Sequence, residues 1–111
     1  MIIELDSPEA TQFGFTSDKF HGYLAKPDNR DNVIIISLVV SLDPGKGNFS
    51  KLIKTIIDQG YIVWVPTPLG KMEEILKRKK FYPIVIYDKQ TEDYVVLYTS
   101  ENIQLISKQD V

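Results

Sequence analysis

The chain has 111 residues, a formal net charge of -2, 43% hydrophobic and 25% charged residues, and no cysteine. That length and balance fit one folded domain with a sufficient core. The missing thiols exclude disulfides, thiolate metal sites and cysteine nucleophiles, and the slight acidity argues against a general nucleic-acid binder. No apolar run approaches the ~20 residues that span a bilayer, and the first six residues lack the basic-then-apolar layout of a secretion signal. The expectation is a cytoplasmic single domain over residues 1–111 with no membrane contact.

In chain order, Ile2, Ile3 and Leu5 predict a short strand that Ser7-Pro8 ends. Residues 13–18, with Gly14, Thr16 and Ser17, read as a weak strand or a loop. "FHGYLAK", residues 20–26, predicts a strand stopped by Pro27, and "PDNRDN" is a turn by composition. "VIIISLVVS", residues 33–41, is apolar at nearly every position, the pattern of a central strand covered on both faces.

"SLDPGKGNFSKLIKTII" follows. Phe49, Leu52, Ile53, Ile56 and Ile57 recur at the spacing of an amphipathic helix, and Gly60 stands where a helix stop belongs. "YIVWV", residues 61–65, predicts a second strand buried on both faces. Two parallel strands joined by a helix form a right-handed crossover. Thr67 reads as an N-cap with Pro68 at the first helical position, and Met72, Ile75 and Leu76 line one face of that second helix. "KRKK", residues 77–80, is its last turn, where cations suit the negative end of the helix dipole. "FYPIVIYD" and "DYVVLYTS", joined by the polar "KQTE", predict a hairpin, and "IQLI", residues 103–106, predicts a short edge strand. The predicted fold is α/β: a twisted mixed sheet with a central parallel pair, two main helices and a C-terminal hairpin.

Gly45-Lys46-Gly47 lies between the first of the parallel strands and its helix, a common place for a phosphate. A P-loop needs a glycine upstream that is absent here, and the dinucleotide fingerprint needs a glycine where Ser50 stands. "PGKGNFSKLIK" resembles the pyrophosphate arm of the GNAT (Gcn5-related N-acetyltransferase) superfamily, whose frequent form is "RGKGIGSKLLK". The strand "YIVWVPTP", the helix "MEEILKRKKF" and the final hairpin follow the family order, so the likeness covers roughly residues 33–100. It departs at Pro44, where the family has Gln or Arg, at Phe49, where it has Gly or Ala, and at Leu76, where it often has a Tyr that protonates the leaving thiolate. The acceptor region before residue 20 is also short, as in small virus- or mobile-element-encoded proteins of this shape.

The resemblance implies an N-acyltransferase that moves acetyl from acetyl-CoA to a small-molecule or protein amine. The coenzyme would be held by Gly45, Lys46, Gly47, Asn48 and Phe49 at the pyrophosphate and by Val39, Val40 and Ser41 along the pantetheine arm. It leaves the catalytic residues unassigned, with Tyr82 a candidate acid, and residues 77–80, with Lys71 upstream, read either as a solvated helix end or as a patch for an anionic partner or for the 3′-phosphate of coenzyme A. The alternative is a GNAT-like protein without catalysis that binds a host protein. A third reading of the same turn is a ligand-free connection with Asn48 as N-cap. The lone His21, with no cysteine, leaves no zinc ligand set, and Trp64 reads as core.

Overall fold

The structure, a computed structural model, describes residues 1–66, 68 and 70–101. Its elements in order are β1 (Ile2–Glu4), α1 (Pro8–Phe13), β2 (Phe20–Ala25), β3 (Val33–Ser41), α2 (Asn48–Asp58), β4 (Ile62–Pro66), α3 (Lys71–Arg78), β5 (Tyr82–Asp88) and β6 (Asp93–Thr99). The strands form one six-stranded sheet in the order β1-β2-β3-β4-β6-β5. Among the described residues only β3 and β4 run parallel, with Val33, Ile34 and Ile35 opposite Ile62, Val63 and Trp64. The predicted central parallel pair and the C-terminal hairpin are both present. The predicted strand at residues 103–106 and the predicted cap Thr67 lie outside the described residues.

The first helix departs from expectation. Ser7-Pro8 starts a helix rather than merely ending a strand. The Ser7 hydroxyl accepts the N–H of Ala10 at 3.2 Å, and Pro8 takes a first-turn position whose N–H would have no partner anyway. Gly14 closes the helix at φ 78. The segment expected to be a strand or loop therefore holds Phe13 at the end of α1 and Phe15 just beyond it, both buried.

α2 begins as its apolar spacing predicts, with one correction at each end. The N-cap is Gly47 rather than Asn48, which is the first helical residue. Phe49, Leu52, Ile53 and Ile56 are buried, whereas Ile57 is 38% exposed. At about 100° per residue, Ile57 lies ~80° round the axis from Phe49 and at the rim of the stripe. α3 starts at Lys71, after Gly70, and not at Pro68.

All three helices feed one core. Ala10, Phe13, Phe49, Leu52, Ile53, Ile56 and Leu76 pack on Ile3, Leu24, Ile34, Ile36, Val63, Val65 and Tyr98 of the sheet. Pairing confirms that these strand residues share a face: Ile3 opposes Leu24, Ile34 opposes Val63, and Val65 opposes Tyr98. The expectation that both parallel strands are covered on both faces fails. β3 is buried only as far as Ile36, and Leu38 and Val40 are 52% and 54% exposed. β4 alternates, with Val63 and Val65 buried and Trp64 half-buried on the other face, beneath the Arg30 guanidinium.

Candidate functional site: the cleft where the parallel strands part

β3 and β4 pair for three residues and then diverge. The ladder ends at Ile35 opposite Trp64. On its far side β4 pairs with β6, from Trp64 opposite Thr99 through Pro66 opposite Leu97, so beyond Trp64 it keeps only that neighbour among the described residues. The outer half of β3 keeps β2 on one side and, among the described residues, has no strand on the other. A strand with an open edge offers backbone donors and acceptors to any extended chain laid beside it.

A bulge decides which side chains of β3 face the helices. The β2–β3 register shifts between Tyr23 opposite Leu38 and Ala25 opposite Ile35. Before the shift Ile34 and Ile36 face the helices; after it Val39 does, packing against the core, and Leu38 and Val40 turn to the opposite face. Gly22, opposite Val39, makes this possible. It sits at φ +111, and a Cβ there would stand 1.8 Å from the Leu38 carbonyl oxygen.

The turn after β3 leads directly into α2. Gly45 and Gly47 adopt φ 87 and 77, a region open to glycine at little cost. The first intrahelical bond runs from the Lys51 N–H to the Gly47 carbonyl at 3.0 Å. No side chain caps α2 and no acidic residue lies in its first turn. The leading N–H groups thus lack an intrahelical acceptor and carry the positive end of the helix dipole.

Between this turn, the outer half of β3 and α3 lies a cleft of about 620 Å³, within the usual range for small-molecule sites. Of the residues predicted for a coenzyme site, Val39, Ser41, Gly45, Gly47, Asn48 and Phe49 line it. Val40 does not, because the bulge turns it to the exposed opposite face. Lys46 is exposed and outside the cleft lining, so its ammonium is not part of the wall. Phe49 is only 9% exposed: its ring is largely taken up in the core and leaves the mouth of the cleft open.

Sequence reasoning missed the opposite wall. Met72, Glu74, Ile75 and Arg78 of α3 line the cleft. Met72 and Ile75 read as part of an apolar face, and Arg78 as one of a run of cations that is either a solvated helix end or an anion patch, with nothing to place it against the glycine turn. The available signal was the i,i+4 spacing of Glu74 and Arg78 beside Ile75, which puts them on one flank. A smaller cavity of about 230 Å³, lined by Ser50, Ile75, Arg78 and Lys79, adjoins the first. Leu76 is fully buried. Tyr82 is half-buried on the edge strand and does not line the cleft. His21 is exposed on β2, opposite Val40.

Chemically, the cleft offers backbone N–H donors, an open strand edge, an apolar wall and one cation with a carboxylate beside it. Among the described residues no three His, Asp or Glu side chains group as metal ligands, and no helix is long and apolar enough to cross a membrane. Comparison with protein-family models, with curated proteins and with solved structures finds no match to this chain.

Proposed function

We propose that the cleft binds an acyl-coenzyme A and that the protein is a small GNAT-like N-acyltransferase, moving acetyl to an amine acceptor. The parting of β3 from β4 beside an uncapped helix start is the observation that carries this reading. The coenzyme matches the two features separately. Its diphosphate suits the N–H groups at residues 47–50, where helix dipole and glycine backbone together favour an anion. Its pantetheine arm, extended and carrying two amides, suits the open edge of β3 as an added strand would.

The chemistry then needs little from side chains. The amine nitrogen attacks the thioester carbonyl, the C–S bond breaks, the thiolate leaves and the amine loses a proton. Backbone N–H groups of β3 at the carbonyl oxygen supply polarisation, and the cleft supplies positioning. The position where the family often carries a thiolate-protonating Tyr is here the buried Leu76. Solvent water protonates the thiolate instead, at a cost in rate.

A second reading is a GNAT-like protein that has kept the cleft and lost turnover, acting on a host protein. The exposed Leu38 and Val40, on the face of β3 away from the helices, favour it. Calorimetric titration of acetyl-CoA into the native protein, Gly47→Val and Lys46→Glu separates the cases when paired with a thiol-release assay on an amine panel. Expected are binding by the native protein, a marked loss in Gly47→Val, where a β-branched residue must adopt φ 77 at the phosphates, and a small loss in Lys46→Glu. Binding without thiol release supports the second reading. Native protein that binds no acetyl-CoA at millimolar concentration refutes the coenzyme site and the transferase reading, and leaves a GNAT-like fold kept as a binding surface.

A further inference from the structure

We infer that Arg78 and Lys79 form a second anion subsite, which makes the cleft prefer a coenzyme bearing a phosphate on its ribose over one lacking it. This rests on the acyl-coenzyme A reading above. The two cavities share Ser50, Ile75 and Arg78, so a ligand held at the glycine turn extends past Ser50 into the smaller space. Among the described residues that smaller space is lined by no acidic side chain and by two cations, Arg78 and Lys79.

These cations are uncommitted. Among the described residues Lys54 pairs with Asp58, Lys77 with Glu73, Arg30 with Glu101 and Lys26 with Glu9, while Arg78 and Lys79 enter no ion pair. Lys79 is half-buried, which brings its stem against the protein rather than out into solvent. The spot is also where α3 ends, so its terminal carbonyls repel an anion. Side-chain cations are therefore required for an anion to reside there, and two are present. Glu74 stands one turn before Arg78 in the large cavity only. The carboxylate opposes a second phosphate near the turn and directs it toward the smaller space.

A ligand that satisfies both places carries a diphosphate and a separate phosphate monoester. Coenzyme A has both, and dephospho-coenzyme A has only the first. The test is calorimetric titration of these two compounds, at low salt, into the native protein and Lys79→Gln, with melting curves to verify folding. Lys79 lines the smaller cavity and not the larger one, so its variant isolates the subsite from the rest of the cleft. The native protein should bind coenzyme A about five- to tenfold more tightly, the scale of charge-assisted contacts discounted for exposure. Lys79→Gln should lose most of that preference with dephospho-coenzyme A affinity unchanged, and added salt should shrink it in the native protein. Equal native affinity for both compounds overturns the subsite and leaves the coenzyme reading standing. Absence of binding by either compound overturns both.

Discussion

Gly22→Ala tests the geometry on which the cleft depends. The new Cβ would stand 1.8 Å from the Leu38 carbonyl oxygen and 2.8 Å from its carbon, both backbone atoms that no rotamer change can move. Bringing the oxygen out to even 3.0 Å opens the strands by about 1.2 Å, the difference of the two distances. Strands normally sit about 4.8 Å apart, so an opening of that size carries the flanking ladder bonds out of hydrogen-bonding range. Two such bonds at about 1 kcal/mol each, plus ~1–3 kcal/mol to hold alanine at this φ, give about 3–5 kcal/mol. In a domain of this size that lowers Tm by roughly 15 °C or more. Gly14→Ala is the control: φ is +78, but a Cβ there meets nothing within 4 Å, so only the backbone term of about 1–2 kcal/mol applies. Urea unfolding of both variants gives the comparison. A Gly22→Ala cost within about 0.5 kcal/mol of the Gly14→Ala cost would refute the close approach and, with it, the glycine-dependent bulge that aims Val39 at the cleft.

Ile53 is fully buried in the core, and Ile53→Ala should cost roughly 2–5 kcal/mol by urea unfolding. Ile57→Ala, at an exposed position of the same helix, should stay within about 0.5 kcal/mol, and a reversal of this order means the buried stripe is misassigned. Hydrogen bonds from the Ser17 hydroxyl and backbone N–H hold the Asp6 carboxyl below its usual range. A depressed folded value contributes stability above the ordinary carboxylate value, near pH 4, which is lost as pH falls through the folded value. Asp6→Asn, which still tolerates the φ of 63 at this position, should be less stable than the native protein at pH 7. The gap should close in acid, and a gap unchanged from pH 7 to pH 3 contradicts the assignment.

The sequence by itself determined the order of the strands, the helix between the parallel pair and the final hairpin. Those follow from local signals: period-two and period-3.6 apolar spacing, and glycine or proline at the breaks. The same locality explains what was misread. α1 spans six residues and buries only Ala10 and Phe13, too few to show a period, so Ser7-Pro8 looked like an ending when it caps a beginning. Only tertiary structure decided the rest. Which face each residue of β3 presents depends on a register shift set by β2 and on the lack of space at Gly22. A run apolar on both sides of Ser37 does not encode that shift, because its branched aliphatic residues suit either face. Lys46 and Val40 looked like site residues by position alone, and Arg78 like a helix end or one cation of an unplaced anion patch. β4 is held on its far edge by β6, a segment more than thirty residues further along the chain, and its ladder with β3 stops at Trp64. The cleft is walled by β3, the turn before α2 and α3, segments brought together only by the folded sheet, and no local pattern of residues records it.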